Sequence, residues 1–480
     1  MISNTPSLEA VPFSGVSDSA FDLIVVGGGA AAFSAAIHAR DLGVKVLMVN
    51  NGLPLGGTCV NVGCVPSKFL TEALREYTQS LKPHGRWCSS ASTLHYARLI
   101  EAKDALVSAL RQRNYAEVLE TLGNVTYIEG YARFVDARTI QVSNRRFRAE
   151  RLIIATGARV RIPPIPGLRE TKPLTNVTAL QIKEPPRAMA VIGGGPLGLE
   201  FAQIFHRAGS RVTVVEVAER ILPQHDPEVS EALKQILEEE GIIIKAGCQL
   251  VQVEQEGNAV RLYDAGGCVA EVEKVLVATG IQANTEELGL EAAGVQLDSK
   301  GFVVTDERQE TTVAGIYAAG DVTGKMPLET VAAKQGYHAA HNALTGESLT
   351  IDYDLVPHAV FTDPQAASVG WTEEHAMRKL GSCWCRTLPL EAVPKAHVIR
   401  DLRGLVKLVV HPGTHRILGA HAVAPNAAEI IHVPLFAMRA GFTIEELIDT
   451  VHVFPTLAEA WKICAQTFER HMKTMSCCVV

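Results

Sequence analysis

The sequence predicts an α/β protein containing two nucleotide-binding units of the doubly wound type. Three observations carry this reading. A β-branched strand, a glycine turn and a small-residue helix occur in that order twice. A second apolar strand closes each unit at the same spacing. At 480 residues the chain is also too long for a single core, so several domains are expected.

The first unit reads DLIVVGGGAAAFSAAIHARDLGVKVLMVNNG over residues 22–52. Leu23–Val26 is a strand, and Gly27, Gly29 and Ala32 fit the turn G-x-G-x-x-A. Such a turn lets the backbone approach a pyrophosphate at the positive end of the following helix. The second unit, AMAVIGGGPLGLEFAQIFHRAGSRVTVVEV over 188–217, repeats it with Gly193, Gly195 and Gly198. The closing strand ends on Asn50 in one copy and Glu216 in the other, each 18 positions after the last small residue. Glu216 can accept both ribose hydroxyls of an unphosphorylated adenosine and would repel a 2′-phosphate, which favours NADH over NADPH. No arginine follows it before Arg220. Asn50 stands where an acid is usual and binds a ribose more weakly.

Bulk properties narrow the classes. Hydrophobic residues make up 47% and charged residues 20% of the chain, an ordinary globular balance. A net charge of −7 with scattered basic residues leaves no footprint for nucleic acid. The apolar run from Leu23 to Ala39 holds three consecutive glycines and His38, so it reads as a buried strand entering a helix and no membrane span is expected. Residues 1–20 read as a flexible tail with neither a basic leader nor an apolar signal core. Ten cysteines without a secretion signal suggest a reducing, cytoplasmic setting, where thiols are catalytic or metal-binding more often than structural.

Between the two units lies GGTCVNVGCVPSK, residues 56–68. Cys59 and Cys64 are five positions apart, slightly too far on an ideal helix for a relaxed disulfide, and a glycine-loosened turn would bring them into range. A thiolate at a helix N-terminus has a lowered pKa, which makes the pair reactive. A structural disulfide or half of a zinc site are the other readings, although no second C-x-x-C or His pair supports zinc.

This stretch resembles the active-site motif of the flavin-dependent pyridine nucleotide–disulfide oxidoreductases, and the resemblance extends over nearly the whole chain. Ala155-Thr156-Gly157-Ala158 and Ala278-Thr279-Gly280 resemble the paired A-T-G turns of that family. Gly315 to Asp321 resembles its second FAD motif, and the residues from about 350 resemble its dimerisation domain. The resemblance implies two Rossmann-like nucleotide-binding domains and a C-terminal α+β dimerisation domain in a homodimer. FAD would occupy 21–160 and 280–350, NAD(P) 161–279, and the dimerisation domain 351–480. The FAD-binding residues implied are Gly27, Gly29, Ala32, Asn50, Gly57, Thr58, Lys68, Ala155, Thr156, Gly157, Gly280, Gly320 and Asp321. Those implied for the nicotinamide cofactor are Gly193, Gly195, Gly198 and Glu216. Cys64 would lie nearer the flavin, Cys59 would exchange with substrate, and Lys68 would pair with Glu200 beside flavin N5. Pro196 stands at a position that is often an aromatic gate. The family implies NADPH, where Glu216 favours NADH.

Disulfide-reducing members of the family supply a proton from an H-P-T-x-x-E segment of the partner subunit. The matching segment here is Phe454-Pro455-Thr456-Leu457-Ala458-Glu459. Phenylalanine carries no proton, and losing a general acid costs about 10²–10⁴ in rate. His452 is near in sequence but two residues removed. A thiolate-bound metal ion needs no such acid, and the chain ends in MSCCVV, with Cys477 and Cys478 adjacent. Adjacent thiolates suit a soft ion such as Hg(II). In this combination the sequence resembles the mercury-reducing branch of the family. That resemblance implies capture of Hg(II)–thiol complexes by Cys477 and Cys478, and transfer to Cys59 and Cys64 of the other subunit for reduction to Hg(0). The branch often carries a tyrosine near Phe454, and a C-x-x-C domain ahead of the flavin fold; neither is found in this sequence.

Other readings stand beside this one. The tail formally matches C-a-a-X, although its second position is not aliphatic and no polybasic stretch precedes it. About 0.2 adjacent cysteine pairs are expected by chance at this composition. A disulfide reductase using His452, or a protein that sequesters metal without reducing it, are the functional rivals. Cys383 and Cys385 in SCWC could hold a metal, but with no other ligand nearby in sequence they read as surface or core thiols. Cys88, Cys248, Cys268 and Cys464 read as small buried residues.

Overall fold

The computed structural model describes residues 20–81 and 92–470. They form two compact units. The first comprises the described residues up to Gly57, with Arg111–Arg159 and Gln282–Ile351. The second comprises the described residues of Thr58–Leu110, Val160–Ile281, and the chain from Asp352 onward.

In the first unit, β1 (Ala20–Val26) runs into α1 (Ala30–Asp41) and returns as β2 (Val46–Asn50). The strand β1 lies between β2 and Arg145–Ile154 and is parallel to both, with Val26 opposite Val49 and Ile154. A central parallel strand is covered on both faces, which is why Leu23, Ile24 and Val25 are fully buried and the run shows no polar alternation. Val125–Glu129 extends the parallel part beyond β2, and Ile316–Ala318 pairs in parallel with Arg145–Ile154. Thr139–Val142 and Ala132–Asp136 complete the sheet as antiparallel strands. Helix α1 buries five alanines and Phe33 on the helical side of this core.

The second unit repeats the pattern. Ile243–Lys245, Arg211–Val215, Ala188–Ile192 and Lys274–Val277 form a parallel sheet in that order. A three-stranded antiparallel sheet spans Gln252–Val272. A five-stranded antiparallel sheet, ordered His358–Val360, Gln365–Gly370, Ile417–Ala424, Leu405–Val410, Trp384–Pro389, carries the C-terminal helices.

The thiol motif forms α2 (Gly57–Val62) and α3 (Cys64–Leu81). Leu70 and Leu74 of α3, with Tyr96 and Ile100 of the helix Tyr96–Arg111, share a core with Leu199, Phe201 and Phe205 of the helix Pro196–Arg207. This apolar packing groups residues 58–110 with 160–281, where the sequence alone assigned them to 21–160. The same unit contains the residues from 352, because Val360, Ala366 and Val423 belong to that core as well.

Among the described residues no helix is long and apolar enough to cross a membrane. Cys464 is buried, but Cys248 is half-buried and Cys268 exposed, which corrects the reading of these thiols as core residues. Cys268 lies on an edge strand of the three-stranded sheet, where alternate side chains face solvent. Cys88, Cys477 and Cys478 lie outside the described residues.

Candidate active site

The first glycine turn is built for close backbone approach. Gly27 has φ +140°, and a Cβ there would lie 2.1 Å from the carbonyl oxygen of Ala155. Only glycine fits such a position. Gly29 caps α1 in extended conformation with no side-chain hydrogen bond, and no acidic residue occupies the first turn of the helix. The N–H groups of that turn and the helix dipole therefore remain available to an anion. Asn50 ends β2 beside Gly28, its amide donating to the Leu53 carbonyl at 3.0 Å. Gly57 lies against Gly29, and Ala32 is buried behind the turn. Thr156 and Asn284 exchange hydrogen bonds at 2.9 Å in each direction, which fixes the turn around Gly157. Gly320 donates its N–H to Gln335 Oε1 at 2.6 Å and presents Asp321 at the start of a 3-10 turn. Desolvation pushes the Asp321 carboxyl above the usual carboxylate range, a condition that ribityl hydroxyls donating to it would relieve. An uncapped helix start, a cradle that any Cβ would fill and a desolvated acid together fit FAD.

The second turn has the same form in the second unit. Gly193 has φ +112°, and a Cβ there would lie 2.4 Å from the Ala278 carbonyl oxygen. Gly195 caps the helix Pro196–Arg207 without a side-chain bond, and a Cβ on Gly198 would strike the Gly193 carbonyl. Pro196 is the first helical residue, where its fixed φ suits the helix and its missing N–H costs nothing. Glu216 is buried; its carboxylate accepts the Gly194 N–H at 2.5 Å and the Ala218 N–H at 2.7 Å. The charge is thereby held directly over the turn, with lone pairs left for a ribose diol. Arg220 donates to the carbonyls of Pro223 and His225 and is tied into its own loop. Gly280 has φ +99° and accepts the Arg161 N–H at 3.0 Å through its carbonyl.

The thiol motif is interrupted at Gly63. Cys59 is the third residue of α2, and Cys64 is the first residue of the 18-residue α3. Cys64 thus occupies the positive end of a long helix, and Cys59 precedes the break by four residues. Ser67 Oγ donates to the Gly63 carbonyl at 2.9 Å, and Asn176 Nδ2 donates to the Val62 carbonyl at 2.7 Å, so both sides of the break are held. Cys59 is half-buried and Cys64 exposed.

One turn into α3, Lys68 Nζ lies 2.6 Å from Glu200 Oε2. The other carboxylate oxygen accepts the Phe361 N–H at 2.9 Å, and the Phe361 ring lies 4.7 Å below the ammonium. Glu200 belongs to the helix that begins at the second glycine turn. Further along it, Gln203 exchanges hydrogen bonds with the backbone of Asp363, and Arg207 pairs with the Asp363 carboxylate at 2.9 Å. A single helix therefore presents the second turn, Glu200, and the groups that hold residues 361–363. Phe361 and Asn176 were not legible as site residues, because one donates its backbone N–H and the other bonds a backbone carbonyl, and no motif marks either contact.

In the C-terminal segment Phe454 is 55% exposed, with exposed Val451 and Val453 beside it. His452 Nδ1 lies 2.9 Å from the Thr450 carbonyl. Glu459 is buried, its Oε2 has no hydrogen-bond partner among the described residues, and desolvation pushes its carboxyl up.

Residues 21–336 match the family model for pyridine nucleotide-disulphide oxidoreductases, and residues 356–465 match the dimerisation domain of the same family. The chain belongs to the pyridine nucleotide-disulphide oxidoreductase family. Within this family it is 42% identical to a mercuric reductase of Staphylococcus aureus, over 98% of this chain and 86% of the relative. It is 40% identical to a mercuric reductase of Lysinibacillus sphaericus, over 99% and 87% of the two chains. Among solved structures, the HOCl-induced flavoprotein disulfide reductase RclA of Escherichia coli superimposes with a TM-score of 0.84 at 30% identity, covering 93% of this chain and 99% of that one. As an oxidoreductase of this family the protein uses FAD and NAD(P)H.

Proposed function

We propose that this protein reduces Hg(II) to Hg(0) with electrons from NAD(P)H, as a cytoplasmic homodimer. The observation that carries the reading is Phe454, a side chain without a proton, at the place where disulfide-reducing relatives need an acid, while the thiol motif and the Lys68–Glu200 pair are intact. The names of the full-length relatives support it.

FAD, when bound at the first glycine turn, supplies two-electron transfer from the nicotinamide to sulfur. The start of α1 binds its pyrophosphate, and Asp321 accepts hydrogen bonds from its hydroxyls. The second turn and Glu216 hold the nicotinamide dinucleotide. Lys68, fixed by Glu200, keeps a positive charge where negative charge develops. Cys477 and Cys478 of the partner subunit take Hg(II) from small thiols by ligand exchange, and Cys59 and Cys64 take it from them in the same way. Each exchange replaces one thiolate by another, so no acid is needed. Hg(II) accepts two electrons; the products are Hg(0), NAD(P)+ and a proton. Val451, Val453 and Phe454 are exposed apolar side chains close together in the sequence, a segment suited to contact with a second copy of the chain.

The test is NAD(P)H oxidation with excess thiol, comparing Hg(II) with Cu(II), glutathione disulfide and lipoamide. Oxidation that depends on Hg(II) is expected, and brisk turnover of either disulfide would contradict the reading. At limiting Hg(II), a Cys477→Ala/Cys478→Ala variant should be slower; equal rates would remove the tail from the relay.

A further inference from the structure

We propose that Cys383, Cys385 and Glu373 form a binding site for one thiophilic divalent cation of the Zn(II), Cd(II), Hg(II) class, separate from the thiols of the redox motif. The two sulfurs lie 2.9 Å apart, and a Glu373 carboxylate oxygen and both sulfurs all fall within 4.8 Å of one another. All three residues are half-buried, so a cation can enter from solvent and still be partly shielded once bound.

The fold creates this grouping from parts that are ten residues apart. Cys383 and Cys385 flank Trp384, where the edge strand Trp384–Pro389 begins, and alternate residues of extended chain share a face. Glu373 is the first residue of the helix Glu373–Leu380, which is capped by Thr372 Oγ1 accepting the His375 N–H. Its carboxylate is aimed by Lys407, whose Nζ donates to Glu373 Oε2 at 2.7 Å from the adjacent strand Leu405–Val410. Burial, the hydrogen bond shared with Cys383 and the charge of Glu373 all push the Cys385 thiol up. A cation that takes up the negative charge relieves each of these costs, releasing two thiol protons to solvent as two metal–sulfur bonds form.

The donor set selects the ion class. Two thiolates and one carboxylate suit a d10 cation with no geometric demand of its own. Metal–sulfur bonds of about 2.3 Å at a tetrahedral angle need sulfurs about 3.8 Å apart, so the pair must open by less than about 1 Å. A disulfide is the poorer fit, because an i, i+2 pair in extended chain separates its Cα atoms by about 6.6 Å, the far edge of the disulfide range.

The experiment uses the full-length, FAD-loaded, oxidised protein carrying Cys477→Ala and Cys478→Ala, titrated with Cd(II) alone. One Cd(II) per chain should bind with thiolate-to-metal ultraviolet absorption, and this equivalent should vanish on adding Cys383→Ser and Cys385→Ser. Glu373→Gln should weaken binding about tenfold without abolishing it. Cys383→Ser alone, the milder change, should already remove most of the absorption, and the flavin spectrum shows that each variant is folded. Equal uptake with and without the serine substitutions would overturn the proposal. So would an absence of uptake by the parent, or a thiol count showing Cys383 and Cys385 joined as a disulfide. None of these outcomes depends on whether Hg(II) is reduced.

Discussion

Lys68 and Glu200 meet at 2.6 Å although 132 positions separate them in the chain. Glu200 is buried and also receives the Phe361 N–H, so removing it releases both the ammonium and the loop at 361–363. Glu200→Ala should slow reduction of the bound flavin by NAD(P)H about 10–100-fold, with a smaller loss for Glu200→Gln. Stopped-flow flavin absorbance measures this; an unchanged rate in Glu200→Ala would exclude the pair from the reductive step.

Glu216 holds its charge over the second glycine turn through two backbone N–H groups. It should therefore favour NADH over NADPH in KM. Glu216→Ser removes the repulsion of a 2′-phosphate and should shift the ratio of kcat/KM values toward NADPH by about tenfold or more. Steady-state kinetics with both cofactors give the answer.

Phe454 leaves its own position without a proton donor, five positions before a buried Glu459 whose Oε2 has no partner among the described residues. Restoring the imidazole in Phe454→His should raise turnover of lipoamide or glutathione disulfide by at least about tenfold, within the range that general acids contribute. Reduction of Hg(II) should change much less. No gain with either disulfide would mean that the missing acid is not what sets the substrate.

Acid should weaken the fold through buried histidines. His225 lies 3.0 Å from Ser368 Oγ, and burial, followed by the charges that His358 and His421 would carry, lowers its pKa to about 3. Burial lowers His358 as well. In the unfolded chain each ring takes up a proton near pH 6.5, whereas the folded rings resist, so protons favour unfolding. The stability that neutral His225 contributes is complete above pH 6.5 and falls as the pH drops toward 3, by about 1.4 kcal/mol per unit, and His358 acts in the same direction. Denaturant unfolding at neutral pH and one unit below the ordinary histidine pKa tests this. His225→Gln should flatten the dependence.

Both nucleotide turns were legible because their chemistry is local: glycines at fixed spacing, a strand before and a helix after. The break at Gly63 was foreshadowed by a five-residue cysteine spacing that an ideal helix does not suit. The grouping of residues 58–110 with the second nucleotide unit was not legible, because it depends on Leu70, Leu74, Tyr96 and Ile100 meeting Leu199, Phe201 and Phe205 from far along the chain. Glu373 was missed for the same reason. Sequence spacing placed Cys383 and Cys385 together, and only the helix start held by Lys407 adds the carboxylate.

The most direct measurement is the amount of Hg(0) vapour released for each NAD(P)H oxidised by the FAD-loaded protein in excess thiol. Equal amounts are expected, since two electrons leave the nicotinamide and two reduce the metal. Mercury retained on the protein as Hg(II) without vapour, or nicotinamide consumed with disulfide reduction in its place, would contradict the account.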